Sequence, residues 1–436
     1  MPENNIEING NHTLSNNKSH ELITDELVKN GLQKDKGKNA ELLSWEVKDF
    51  TNKGDGYTSF VTSVTVKYRK EGIQGDTSYV LKLNPLRPPG PMTEFMSVMF
   101  PREKEILTDA LEAMSKHLGK LGLDPIRTPR IFASCLEKEK EALLLENLRT
   151  QGFQMHDRRK GQDYHHALLV MEELGRFHAS SLLLQESIAP KTFAEHFEYF
   201  EEPWFDINNE TSKMMTVMLE SQAVSAIDCL NKFPKYEKCI KWLEANKQNM
   251  GRYFIEGFKS TKPPFEVLVH GDPHTNNMLF KYDKNGIVED MRFVDLQCCR
   301  LSSPGSDINY YAYSSLTGEI RSKHFQKLLY AYYQSFSKVL IFARKKVPYT
   351  FKELEDEVEN RKLLGFITGL MILQFLLFED DNEVVDINEM NLENMGEYEE
   401  NRKKIFSRLS EKEGPFKDRF LSLFDSMLES PIIDMN

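Results

Sequence analysis

The 436-residue chain is short of cysteine, of basic charge and of long apolar runs, and each shortage narrows what it can be. Its five cysteines (Cys135, Cys229, Cys239, Cys298 and Cys299) are odd in number and form no Cys-x-x-Cys pair. That usage favours a reducing compartment over a disulfide framework or a zinc site. A formal net charge of −11 argues against a nucleic-acid partner, which calls for a basic face. Residues 1–20 are polar and lack the apolar stretch of a secretory signal, so a cytoplasmic location is the expectation. The most apolar run, residues 363–378, is broken only by Gly365, Thr368, Gly369 and Gln374. It is shorter than the roughly 20 residues that cross a bilayer, and the spacing predicts a buried helix instead of a membrane span.

What is there is the make-up of a globular enzyme. Hydrophobic residues are 40% and charged residues 28% of the chain, the proportions of a protein with a packed core. The length suits one large two-lobed unit or two to three ordinary domains.

One stretch carries the chemistry. Val267-Leu268-Val269 and Met278-Leu279-Phe280 flank the polar loop His270-Gly271-Asp272-Pro273-His274-Thr275-Asn276-Asn277. A second carboxylate, Asp295, ends the later apolar run Arg292-Phe293-Val294. Gly, Asp, Pro and Asn are also ordinary turn residues, so the loop alone reads equally as a surface connection. Phosphoryl transfer, however, needs a carboxylate to receive the acceptor proton, and an amide and a second carboxylate to hold Mg²⁺. Asp272, Asn277 and Asp295 supply these in that order, with the His-x-Asp-x-x-x-x-Asn spacing of a kinase catalytic loop.

Upstream, alternating residues predict strands on both sides of Thr51-Asn52-Lys53-Gly54-Asp55-Gly56-Tyr57-Thr58-Ser59. Gly54 and Gly56 would let backbone N–H groups approach phosphate oxygens, and Ser59 would add a hydroxyl; a plain hairpin turn explains the same residues. The next strand, Ser78-Tyr79-Val80-Leu81-Lys82-Leu83, carries a lysine inside an apolar run. Lys82 is either a solvent-facing strand residue or a phosphate anchor paired to a helix glutamate. Pro101 predicts the first turn of a helix, with Glu103 and Glu105 near its start; Glu103 is the preferred partner. Two more strands, 131–135 and 142–145, run into Glu146-Asn147-Leu148, where a two-lobed kinase offers backbone groups to adenine.

The remaining pattern is helical. Residues 164–184 predict a long helix in which His178 is a packed core histidine. Residues 186–262 are irregular and rich in aromatics, among them Phe193, Phe197, Phe200 and Trp204. They are either a cap over an acceptor site, with Phe200 and Trp204 as its contacts, or structural filler. Asp307 sits at a predicted helix start and reads as an N-cap.

Together these residues resemble the ecdysteroid-kinase-like family of arthropods, a branch of the choline-kinase and aminoglycoside-phosphotransferase group. The resemblance rests on 269–280, Asp295-Leu296-Gln297, Asp307-Ile308-Asn309-Tyr310-Tyr311 and Gly56-Tyr57-Thr58-Ser59. It also rests on Phe100-Pro101-Arg102-Glu103, Leu145-Glu146-Asn147-Leu148 and Phe177-His178-Ala179-Ser180-Ser181, and spans roughly residues 40–425. Leu296 stands where the family usually has an aromatic, and Asn147 where it usually has Asp.

Composition makes 1–35 a polar tail, within which Glu21–Leu32 predicts a short amphipathic helix with Leu22, Leu27 and Leu32 for packing. The resemblance implies an α+β, two-lobed protein-kinase-like fold, with a nucleotide-binding lobe at 36–148 and a larger helical lobe at 149–436. It implies Asp272 as catalytic base, Asn277 and Asp295 as Mg²⁺ ligands, and Lys82 with Glu103 as the ATP phosphate anchor. Glu146, Asn147 and Leu148 would face the adenine, and His270 and Asp307 would brace the catalytic loop. The implied activity is ATP- and Mg²⁺-dependent phosphorylation of a small-molecule hydroxyl, on an ecdysteroid or related alcohol. Choline, ethanolamine or an ingested toxin is the alternative acceptor. A silent carrier of the same fold would have no need of Lys82, Asp272, Asn277 and Asp295.

Overall fold

In a computed structural model, residues 18–48, 50, 59–86, 91–200, 210–259, 263–378 and 395–434 are described. The chain opens with helix α1 (Asp25–Lys36), capped by the Thr24 side chain. Strands β1 (Glu41–Lys48), β2 (Phe60–Lys70) and β3 (Ile73–Leu83) follow, with helix α2 (Pro91–Glu105), a π-turn at Ile106–Ala110 and helix α3 (Leu111–Lys120). Strands β4 (Ile131–Cys135) and β5 (Ala142–Glu146) complete an antiparallel sheet in the order β1-β2-β3-β5-β4. The β2–β3 hairpin turns on Glu71 and Gly72, both at positive φ, the conformation that matches strand twist in a two-residue loop.

Alternation along β3 and β5 decides what the sheet touches. Tyr79, Leu81, Leu83, Ala142 and Leu144 face α1, and form one small core with Leu27, Val28 and Leu32. Val80, Leu143 and Leu145 face the other way, onto α2, the π-turn and α3, and join the main core. Lys82 lies in register with Leu143, so it points to that second side as well.

The structure shifts one sequence expectation and corrects another. The helix expected over Glu21–Leu32 is α1, a few residues further on, and its Leu27, Val28 and Leu32 are buried on the sheet with Leu22 packed against them, so this part of the polar segment belongs to the lobe. Gly31 lets the helix approach: a Cβ there would lie 2.7 Å from a methyl of Leu144. The helix expected to open at Pro101 begins ten residues earlier, at Pro91, and carries Pro101 in its interior.

The larger lobe is mostly helical. A short strand β6 (Phe153–Met155) leads to α4 (Tyr164–Ile188), capped by Asp163, and then to α5 (Phe193–His196). Helices α6 (Glu210–Leu230), α7 (Glu237–Asn246) and α8 (Met250–Phe258) precede strands β7 (Val267–Val269), β8 (Met278–Tyr282), β9 (Val288–Phe293) and β10 (Arg300–Ser302). Strands β6, β8 and β9 make one small sheet, and β7 pairs with β10. Helices α9 (Pro304–Ser315), α10 (Gly318–Phe342), α11 (Phe351–Asn360), α12 (Lys362–Leu376), α13 (Met395–Leu409) and α14 (Ser422–Leu428) end the chain. The apolar run lies in α12, which is buried along most of its length. No helix among the described residues is long and apolar enough to cross a membrane. All five cysteines are free thiols.

Leu32→Ala tests whether α1 belongs to the lobe's core. Leu32 is fully buried, so its truncation is expected to cost about 2–5 kcal/mol in chemical denaturation. An unchanged midpoint would detach the helix from the core.

Candidate active site

Strand β7 is entirely buried, and its end delivers the polar loop. The Ser181 hydroxyl of α4 accepts the Leu268 N–H at 2.9 Å. One helical turn earlier, His178 Nε2 lies 3.1 Å from Asp307 Oδ2, and its Nδ1 lies 2.8 Å from the Tyr332 hydroxyl. A carboxylate only accepts, so Nε2 carries the proton toward Asp307. Asp307, in the first turn of α9, also accepts the His270 N–H at 2.7 Å and the Gly271 N–H at 2.9 Å. His178, Asp307 and His270 are fully buried. Asp307 is thus more than a cap of its own helix, since it holds the backbone of the loop.

Gly271 is required on two counts. Its φ is +80°, and a Cβ would lie 2.1 Å from the Cys298 carbonyl oxygen. The His270 ring donates from Nε2 to the Val294 carbonyl at 3.2 Å, which leaves Nδ1 to accept the Asp272 N–H at 3.4 Å. Burial lowers the His270 pKa and keeps that tautomer neutral.

These contacts place Asp272 with its side chain 23% exposed, so it is reachable from solvent. Its Oδ1 accepts the Tyr310 hydroxyl, and its Oδ2 accepts Asn277 Nδ2 at 2.9 Å. His274 Nε2 stands 3.5 Å from Oδ2. Burial pushes the Asp272 carboxyl up, but His274, Tyr310 and His270 together bring it below the ordinary aspartate value. Burial beside Asp272 raises the Tyr310 phenol well above its usual range, so it stays a donor. Asn277 Nδ2 also donates to the Asp272 carbonyl at 2.9 Å. Both partners are acceptors, which fixes the orientation of the amide and leaves its oxygen as a donor atom for a cation.

The second cluster crosses between lobes. Lys82 Nζ lies 2.5 Å from Glu103 Oε2 and 2.9 Å from Asp295 Oδ1. Glu103 Oε1 accepts the Leu296 N–H at 3.2 Å. Burial acts to lower the Lys82 pKa, but the charges of Asp295 and Glu103 outweigh it and hold it above the lysine range. Burial and the Asp295 charge push the Glu103 carboxyl up against the pull of Lys82. Asp295 adopts a left-handed conformation, φ +61° and ψ +63°, sparsely populated by residues other than glycine. Glu105 turns elsewhere and accepts the Glu198 and Tyr199 N–H groups at 2.8 and 2.9 Å. The choice between the two glutamates falls on Glu103.

The other sequence-predicted residues are distributed differently. The Glu146 carboxylate binds the Arg130 backbone and guanidinium and the Gln151 amide. Asn147 caps a short turn through Arg149 N and donates to Ser78 Oγ at 2.9 Å, while Leu148 is buried. These contacts occupy the side chains of Glu146 and Asn147. Ser59 is half-buried in a bend. Gly54, Gly56 and Trp204 lie outside the described residues. Phe200 does not join the site: it is 7% exposed and stacks among Phe193, Phe197 and the Arg102 guanidinium. Phe193 and Phe197 are buried in the same core cluster.

Four contributors escape the sequence reading in these roles: Tyr310, His178 as a brace, His274 and Arg102. Arg102 is buried and donates from Nε and Nη2 to the Cys299 carbonyl, tying α2 to the segment after Asp295. Tyr310 and His274 lie within three residues of Asp307 and Asp272, and that proximity is the signal the sequence offers for them.

The ecdysteroid kinase-like family matches over residues 53–344, more than half of the chain. Among solved structures, the chain is similar to a choline kinase from Cryptosporidium parvum Iowa II at 15% identity and a TM-score of 0.42. That match covers 88% of this chain and 94% of the other. It is also similar to a Plasmodium vivax ethanolamine kinase at 12% identity and a TM-score of 0.37, covering 84% of each chain. No curated protein matches it in sequence.

Asp307→Ala leaves buried donors at His270, Gly271 and His178 without their acceptor. Each such donor costs about 1–3 kcal/mol, so a large loss of unfolding free energy is expected by denaturant titration. A loss below about 1 kcal/mol would mean that the loop holds without this brace.

Proposed function

The chain belongs to the ecdysteroid kinase-like family and is a small-molecule phosphotransferase with a hydroxyl acceptor; from that premise we propose ATP as its phosphoryl donor, Mg²⁺ as its metal and an ecdysteroid or related alcohol as its acceptor. The observation that carries the reading is the position of Lys82, within 2.9 Å of Asp295, a residue 213 positions away, while also paired to Glu103. A lysine anchored by a helix glutamate and set beside a partly exposed carboxylate is the arrangement that receives nucleotide phosphates.

The donor set fits a hard cation. Asp295 offers a carboxylate 25% exposed, and Asn277 an amide oxygen whose nitrogen is already spent on Asp272. Both are oxygen ligands of the kind Mg²⁺ takes. Asp295 and Asn277 would hold the ion, which would supply neutralisation of the charge that develops during transfer.

The chain's own residues do the rest. Lys82 orients the phosphates, and the backbone of 146–148 is assigned to the adenine. Asp272 accepts the proton of the acceptor hydroxyl. In a loose transition state positioning dominates, and the contacts at both Asp272 oxygens serve that positioning. The steroid-type acceptor rests on the family, and the cytoplasmic location on the five free thiols. The net charge of −11 argues against a nucleic-acid partner.

Purified protein with labelled ATP, offered ecdysteroids, choline, ethanolamine and plant glycosides, tests the acceptor. Label on an ecdysteroid or related alcohol is expected; label on choline or ethanolamine alone would overturn that choice. Asp272→Asn is expected to lower turnover by about 10²–10⁴-fold with ATP still bound. Turnover within about tenfold of the parent would remove Asp272 from the base role. Asn277→Ala and Asp295→Ala are each expected to weaken the Mg²⁺-dependent part of ATP binding in calorimetry. An unchanged Mg²⁺ dependence in both would place the metal elsewhere.

A further inference from the structure

Helix α9 contacts the catalytic loop twice. Asp307 takes two backbone N–H groups of the loop, at His270 and Gly271. Tyr310, three residues on and therefore on the same helical face, donates to the Asp272 carboxylate. We propose that Tyr310 is a positioning residue for phosphoryl transfer, fixing the plane and direction of the carboxylate that receives the acceptor proton. The proposal rests on Asp272 being the base.

The argument is geometric. The last torsion of an aspartate is broad and weakly stepped, so a carboxylate held at one oxygen still rotates. Here the two oxygens are held from different elements: Oδ1 by Tyr310 on α9, and Oδ2 by Asn277 at 2.9 Å with His274 at 3.5 Å, both on the loop itself. The loop contacts move with the loop, whereas the α9 contact refers the carboxylate to the core. Tyr310 is 2% exposed, and its ring packs on Phe258 at 6.2 Å between centroids. Burial and the Phe258 contact hold the phenol beside Asp272. Every residue of α9 is buried, which makes the helix a rigid reference for both contacts.

The test uses full-length Tyr310→Phe, which removes one oxygen and keeps the ring. It is measured with the acceptor that the screen returns and, independently, with water as acceptor in ATP hydrolysis. The kcat is expected to fall roughly 10- to 100-fold, the scale on which a reacting group about an ångström out of place loses rate. The KM values for ATP and acceptor and the melting temperature are expected to stay near the parent's. A crystal structure of the variant is expected to show the Asp272 side chain in more than one rotamer. Replacement of Tyr310 by 4-aminophenylalanine, which restores a donor, is expected to recover most of the rate.

Asp272→Asn is run alongside. If it keeps turnover, the base assignment fails and takes the proposal with it. If it is inactive while Tyr310→Phe has near-parent kcat and a single Asp272 rotamer, only the positioning role fails. A matched loss of melting temperature and both affinities in Tyr310→Phe, without rescue by the amino analogue, would reduce Tyr310 to a structural residue.

Discussion

A single ammonium group between two carboxylates sets the geometry on which the site depends. Lys82 comes from β3, Glu103 from α2 and Asp295 from the segment after β9, and the lysine and glutamate side chains are almost wholly buried. Breaking such a buried pair costs on the order of 3–5 kcal/mol, because the remaining charge is left desolvated. With all three groups ionised the triad carries one net negative charge, which pairing leaves uncancelled. The Leu296 N–H bonded to Glu103 and the Arg102 guanidinium bonded to the Cys299 carbonyl hold the two lobes in the same register. Neighbouring residues of α2 thereby fix both ends of the turn that follows Asp295.

Asp272, the proposed base, is held by a second, independent system. Helix α4 supplies His178 and Ser181, and α9 supplies Asp307 and Tyr310; together they hold the backbone and carboxylate of the loop from the core side. The division has a chemical sense. A proton acceptor in a reaction dominated by positioning must be steady while it stays open to solvent on one side, and Asp272 combines fixed contacts at both oxygens with 23% exposure.

Local spacing makes much of this site legible in the sequence. The Asp272–Asn277 pair and Asp295 announce themselves because the residues lie in one loop and the strand end that follows it. A single lysine in a strand is common, and Lys82 is legible by its place, after the glycine-bearing turn and before a helix with glutamates near its start. The choice of Glu103 over Glu105 is not decidable by any local rule: it depends on Glu198 and Tyr199, more than ninety positions away, occupying Glu105. Tyr310 and His178 reach partners 38 and 129 positions distant, and such contacts leave no trace in periodicity. Helix α1 is legible from the spacing of Leu22, Leu27 and Leu32, whereas the sheet face it covers and the close approach of Gly31 to Leu144 are not. Phe200 misleads: aromatic density without helical period looks like a ligand wall, whereas Phe193, Phe197 and Phe200 are buried in the core.

The central claim is that the Lys82 triad is the phosphate end of the site, and a crystal structure with a non-hydrolysable ATP analogue and Mg²⁺ tests it directly. The account predicts that the Lys82–Glu103 contact persists, that the 2.9 Å Lys82–Asp295 contact opens, and that the phosphates lie between those two residues. An analogue bound away from Lys82, or bound with the Lys82–Asp295 contact still closed, would contradict it.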